Sequence, residues 1–165
     1  MATAIDDSQR ARAVFKQACA FVSVRERITE QKELVGRDLM LIYPTLALEA
    51  FAIELFLKCL LLLQGEEPPR THNLAKLFRD LHPNTKRSIV DQWDNGPRKK
   101  IVELGKKLGF PTDLPNSLVR CGDAFEELRY AFEDPEKIVF YLGDLPRLLL
   151  DQIAAAKPDW VSWHD

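Results

Sequence analysis

The stretch TLALEAFAIELFLKCLLLLQ, from Thr45 to Gln64, constrains the fold more than any other part of the chain. It lies between Pro44, which suits a first-turn position, and Gly65, a natural residue just past a helix end. Apolar groups fall on nearly every side of a helix drawn through it. A helix of that kind is central in a bundle, because no face of it is suited to water. Glu49, Glu54 and Lys58 interrupt the run, and no charge-free stretch reaches the roughly 20 residues of a membrane span.

The remaining segments supply partners for such a central helix. Ala11, Val14, Phe15, Ala18, Phe21, Val22 and Ile28 recur at helical spacing, predicting a helix from about Ser8 to about Glu33. THNLAKLFRDL, a segment from Pro83 to Asn95, and a basic segment from Pro97 to near Gly109 read as short helices, with FPTDLPN as a loop. Leu118, Cys121, Phe125, Leu128 and Phe132 step by threes and fours, predicting one helix from Ser117 to about Glu133, stopped by Asp134-Pro135. A last helix is expected from about Leu145 to Ala156, followed by a tail in which Trp160 and Trp163 dock on the bundle or on a partner. No alternating strand pattern and no low-complexity linker is visible. The expected fold is all-α, a single domain over residues 1–165. It is an up-down bundle of four main helices plus two or three short ones.

Charge and cysteine usage exclude several classes of function. The net charge is −2, so no global basic field announces nucleic acid. Residues 66–110 carry a local excess of +4 and residues 121–165 a local deficit of −6, which reads either as a solvated, uneven surface or as a device for steering partners. Cys19, Cys59 and Cys121 form no C-x-x-C and sit in apolar patterns, as reduced core thiols do. His72, His82 and His164 show no ligand spacing with them, so neither a metal nor a cofactor is expected. The N-terminal MATAIDDSQR has no apolar run of the signal-peptide kind, and a cytoplasmic location is expected.

A few residues are candidates for chemistry. Glu54 and Lys58 stand at i and i+4, so they read as an ion pair fixing helix register or as part of a cleft. Arg129 has a donor fork suited to carboxylate or phosphate, with Glu126 and Glu133 in helical reach. His72 stands at the mouth of a short helix, where capping or packing is its ordinary use. Arg98, Lys99, Lys100, Lys106 and Lys107 make a basic helix face, a solvated surface or a phosphate contact. No P-loop, G-x-G-x-x-G, H-E-x-x-H or G-x-S-x-G is present.

Three blocks, YPTLALEAFAIELFLKCLLLLQG, THNLAKLF and CGDAFEELRYAFE, together resemble the HEPN domains of prokaryotes over about residues 40–133. Ala50, Glu54, Lys58 and Gly65 match that family's buried helix. His72, Asn73 and Leu74 match its short helix, and Arg129-Tyr130 its late one. The resemblance implies a helical bundle that often forms homodimers. Many members are metal-independent ribonucleases of toxin–antitoxin and phage-defence systems, acting through an R-x(4–6)-H motif. This chain departs from the motif. Residues 130 to 136 read Tyr-Ala-Phe-Glu-Asp-Pro-Glu, with no histidine to transfer a proton near neutral pH. The expectation is therefore a non-catalytic, homodimeric domain whose cleft residues are Arg129, Tyr130, Glu54, Lys58 and Glu133. It would recognise RNA, a nucleotide or a partner protein. The alternative is a metal-independent endoribonuclease with an atypical site centred on Arg129.

Overall fold

The computed structural model describes residues 6–30, 41–96, 99–109, 112–122 and 142–160. Among them the secondary structure is helical throughout: α1 (Asp7–Glu30), α2 (Ile42–Leu63), α3 (Leu74–Arg79), α4 (Pro83–Asn95), α5 (Lys99–Leu108), α6 (Leu114–Arg120), α7 (Leu145–Ala156) and a 3₁₀ turn, Pro158–Trp160. The central helix stands where its composition requires. No residue from Thr45 to Gln64 is exposed. Ile53, Phe56, Leu57, Cys59 and Leu61 are at most 1% accessible. Burying a leucine, isoleucine or phenylalanine side chain contributes roughly 1.5–3 kcal/mol, so α2 supplies a large part of the apolar driving force.

α1 and α2 run antiparallel along their length. Ala11 lies level with Cys59, whose thiol donates to the Ala11 carbonyl at 3.4 Å. Phe15 meets Phe56 with ring centroids 6.2 Å apart, and Phe21 stacks on Phe51 at 5.4 Å. Arg25 reaches Glu49 at 2.9 Å. Rising numbers on one helix thus meet falling numbers on the other, the up-down arrangement expected of the bundle. α7 covers another side of α2, and α3 a third. α4 packs on α7, joined by a hydrogen bond from Gln152 Nε2 to Ser88 Oγ at 2.9 Å. Trp160 docks on the bundle, 4% exposed, with its ring 5.5 Å from that of Phe15. Trp163 lies outside the described residues.

The end of α2 is fixed by backbone chemistry. Gly65 has φ +79°, Glu66 N–H donates to the Leu61 carbonyl at 2.9 Å and Gly65 N–H to that of Leu62 at 3.1 Å. This is a Schellman closure, and it turns the chain by means of a left-handed residue. The Gln64 amide then uses both its ends on the first turn of α4. It donates to Thr85 Oγ1 at 2.8 Å and accepts from His82 N–H at 2.9 Å, so the start of α4 is tied to the end of α2. Trp93 is buried and donates through Nε1 to the Thr112 carbonyl at 3.0 Å, anchoring the segment between α5 and α6.

One boundary differs from the periodicity-based expectation. The Leu118-to-Phe132 stripe does not lie on one uninterrupted helix. α6 begins at Leu114, inside the segment read as a loop, because Asp113 caps it by accepting from Asn116 N–H. It stops at Arg120, with Cys121 and Gly122 in a turn. Residues 123–133 lie outside the described residues. The turn has a tertiary cause: Gly122 offers its carbonyl to Leu74 N–H at 3.2 Å. A Cβ on Gly122 would stand 2.8 Å from Asn73 Nδ2. Leu118 and Cys121 are buried as the stripe predicted.

Gly65→Ala would force a Cβ into the left-handed region, with no steric contact to add to the cost. We expect a loss of about 1 kcal/mol, read from the urea midpoint. Burial pushes the Cys19 thiol up to about 11 and that of Cys59 up to about 12. Neither should label with a disulfide reagent at pH 8 in the native protein, and both should label in denaturant. The unfolded chain gives up these protons near the ordinary value of 9.0, before the folded one does. Stability conferred by the buried thiols therefore falls as pH rises from about 9 through 12, which alkaline melting curves would show.

Candidate functional site

Glu54 sits in the middle of α2 on the side that faces the segment leading into α3, and it is 6% exposed. A carboxylate in so apolar a helix requires donors, and it has them from two directions. Lys58, one turn along, gives its Nζ to Oε1 at 2.6 Å. His72 brings Nδ1 to 3.0 Å from Oε2 and 3.2 Å from Oε1. A carboxylate only accepts, so Nδ1 is the donor in this contact.

Local chemistry of the loop aims His72 at α2. Thr71 N–H donates to the Pro69 carbonyl at 2.8 Å, and Thr71 Oγ1 accepts from Asn73 N–H at 3.2 Å. Asn73 is the N-cap of α3 and accepts from Lys76 N–H at 2.9 Å. The capping role considered for His72 thus belongs to its neighbour. His72 instead spans from the loop to Glu54, with 63% of its side chain accessible. The Gly122 contacts on Leu74 and Asn73 complete the cluster. The three sequence blocks, carrying Glu54–Lys58, His72–Leu74 and Cys121–Gly122, meet through the middle one: His72 contacts Glu54, and Asn73 and Leu74 contact Gly122.

The other expected site residues divide by position. Arg129, Tyr130 and Glu133 lie outside the described residues, as does Arg98. Lys99, Lys100 and Lys107 are exposed on α5, within one arc of that helix, and Lys106 belongs to the same helix. Among the described residues no group of three His, Cys, Asp or Glu side chains has metal-binding geometry. None of their helices is long and apolar enough to cross a membrane.

A second buried carboxylate, one of the charges that interrupt the apolar run, was not read from sequence as a site residue. Glu49, 4% exposed, takes Arg25 of α1 at 2.9 Å, while Arg25 Nε is buried with no hydrogen-bond partner among the described residues. The signal was present in the antiparallel register, since pairing Phe21 with Phe51 carries Arg25 to the level of Glu49. It became readable only once α1 was known to lie against that side of α2. The His72–Glu54 contact had no comparable signal, because it depends on how the loop between α2 and α3 folds back.

Lys58→Met would leave Glu54 buried with its second donor only. We expect a loss of roughly 1–3 kcal/mol, smaller than for a fully buried pair because Lys58 is 21% exposed. The double variant Lys58→Met with Glu54→Gln should recover part of that loss in the same urea titration.

Comparison with known proteins gives one match. A family model described as the HEPN domain matches residues 50–140, more than half of the chain, and covers the converging blocks. No curated protein and no solved structure matches the chain. This chain belongs to the HEPN domain family.

Proposed function

We propose that this HEPN domain works by binding RNA rather than by cutting it, as a homodimer in a toxin–antitoxin or phage-defence setting. The observation that carries this reading is the run from Tyr130 to Glu136, which puts no histidine at the spacing the family's ribonucleases use after their arginine. Arg129 without a proton-transfer partner retains what a guanidinium does on its own, which is to hold a phosphate through two parallel donors. Tyr130 adds a ring and a hydroxyl beside it. Glu54 and Lys58 support the wall of the cleft, and Lys99, Lys100 and Lys107 on α5 add exposed positive charge for an RNA backbone. A nucleotide or a partner protein at the same cleft are the other occupants to distinguish.

One observation favours a second reading. His72 is backed by a buried carboxylate through Nδ1, a contact that orients an imidazole as proton-transfer histidines are oriented. The two residues after it, Asn73 and Leu74, contact Gly122. A ribonuclease centred on Arg129 would take its histidine from this loop instead of from the motif.

A mixed RNA pool incubated in EDTA with wild type, Arg129→Ala and His72→Ala separates the two. We expect no cleavage by any of them. Wild type should bind a single-stranded oligonucleotide in an anisotropy titration, and Arg129→Ala should weaken it roughly tenfold with its helical circular dichroism intact. Cleavage that Arg129→Ala abolishes would make the domain a ribonuclease, and its loss in His72→Ala as well would assign the proton transfer to that loop. RNA left unbound by wild type would sink the RNA reading.

A further inference from the structure

Glu54 and Phe56 stand two residues apart on α2, about 200° around its axis, so the far side of the helix from the Glu54–His72 cluster is a separate region. That side carries a cavity of about 390 Å³ between α1 and α7. Its lining has two chemistries. Val22, Phe56, Pro146 and Leu150 give an apolar floor, and Arg25 and Arg147 stand on either side, one from each helix. A concave site of a few hundred Å³, mostly apolar with a few polar groups, is how proteins hold small molecules.

The two arginines are differently committed. Arg147 is 78% exposed and places Nε 3.3 Å from Asp151 Oδ1, leaving the rest of its donor fork for another acceptor. Asp151 also lines the cavity, and this contact offsets its charge. Glu26 stands exposed at the mouth. Arg25 gives one amino group to Glu49, and its Nε is buried with no acceptor among the described residues. An orphaned buried donor is costly, and an acceptor brought in with a ligand relieves that cost. Phe56, the aromatic ring among the lining residues, is 1% exposed, too little surface for a nucleobase to stack on.

We infer that the α1–α7 groove is a binding site for a small organic anion with an aliphatic body, its carboxylate or phosphate head lying between Arg25 and Arg147 and its chain on the Val22–Phe56–Leu150 floor. The proposal does not rest on the RNA reading.

The test uses the full chain and the fluorescent apolar anion 8-anilinonaphthalene-1-sulfonate as reporter, with octanoate, octyl phosphate and adenosine monophosphate as competitors. Wild type should enhance the reporter's fluorescence, octanoate or octyl phosphate should reverse the enhancement, and the tighter of the two identifies the head group. Arg147→Gln should weaken that competitor roughly fivefold to tenfold. Ala154→Trp, which places a ring in the cavity from α7, should remove the enhancement at an unchanged melting midpoint. Both variants leave the Arg25–Glu49 pair intact. Enhancement that survives Ala154→Trp, fails to appear in wild type, or yields to adenosine monophosphate but not to the aliphatic anions would overturn the proposal.

Discussion

Burial of α2 on all sides is the constraint on which the rest of the architecture depends. A helix with no exposed residue from Thr45 to Gln64 cannot lie at a surface, so other elements must surround it. α1 takes one side in antiparallel register, α7 another, and α3 a third, each contributing the apolar stripe its sequence carries. The remaining helices, α4 to α6, are held through this frame. α4 is tied to α2 by both ends of the Gln64 amide and to α7 by Gln152, and Trp93 of α4 anchors the segment between α5 and α6.

Apolar burial is non-directional, and α2 is so evenly hydrophobic that it leaves the rotation of its neighbours weakly specified. The two buried carboxylates supply direction. Glu49 accepts Arg25 from α1, which fixes which part of α1 meets which level of α2. Glu54 accepts Lys58 from its own helix and His72 from the following loop, which fixes where that loop folds back. The same two carboxylates mark the two polar regions of the bundle. The Glu54 side gathers the family's sequence blocks around His72 and Gly122. The Arg25 side opens into the groove between α1 and α7. A charge retained in an apolar helix thus serves packing and leaves a polar foothold beside it.

Gly122 shows how a local contact redirects a sequence pattern. The stripe from Leu118 to Phe132 has helical spacing throughout, yet α6 ends at Arg120. The chain at that point lies against the N-cap of α3, where a Cβ would press on Asn73 Nδ2 and where Leu74 N–H needs an acceptor. Satisfying a helix terminus elsewhere in the molecule outweighed continuing the helix here.

Sequence alone determined the elements whose cause is local. The all-round apolar run of α2, Gly65 at its end, the 145–156 helix behind Pro146 and the apolar stripe of α1 each depend on neighbours within a few residues. Each is found where the pattern placed it. The pairing of Glu54 with Lys58 was legible for the same reason, as one helical turn separates them. Tertiary structure alone decided that His72 joins Glu54 across 18 residues, that Arg25 joins Glu49, that Asn73 is the cap, and that the Cys121–Gly122 turn succeeds α6. Those contacts depend on the angle at which loops return and on which faces of separate helices meet. Periodicity within one segment carries no information about either.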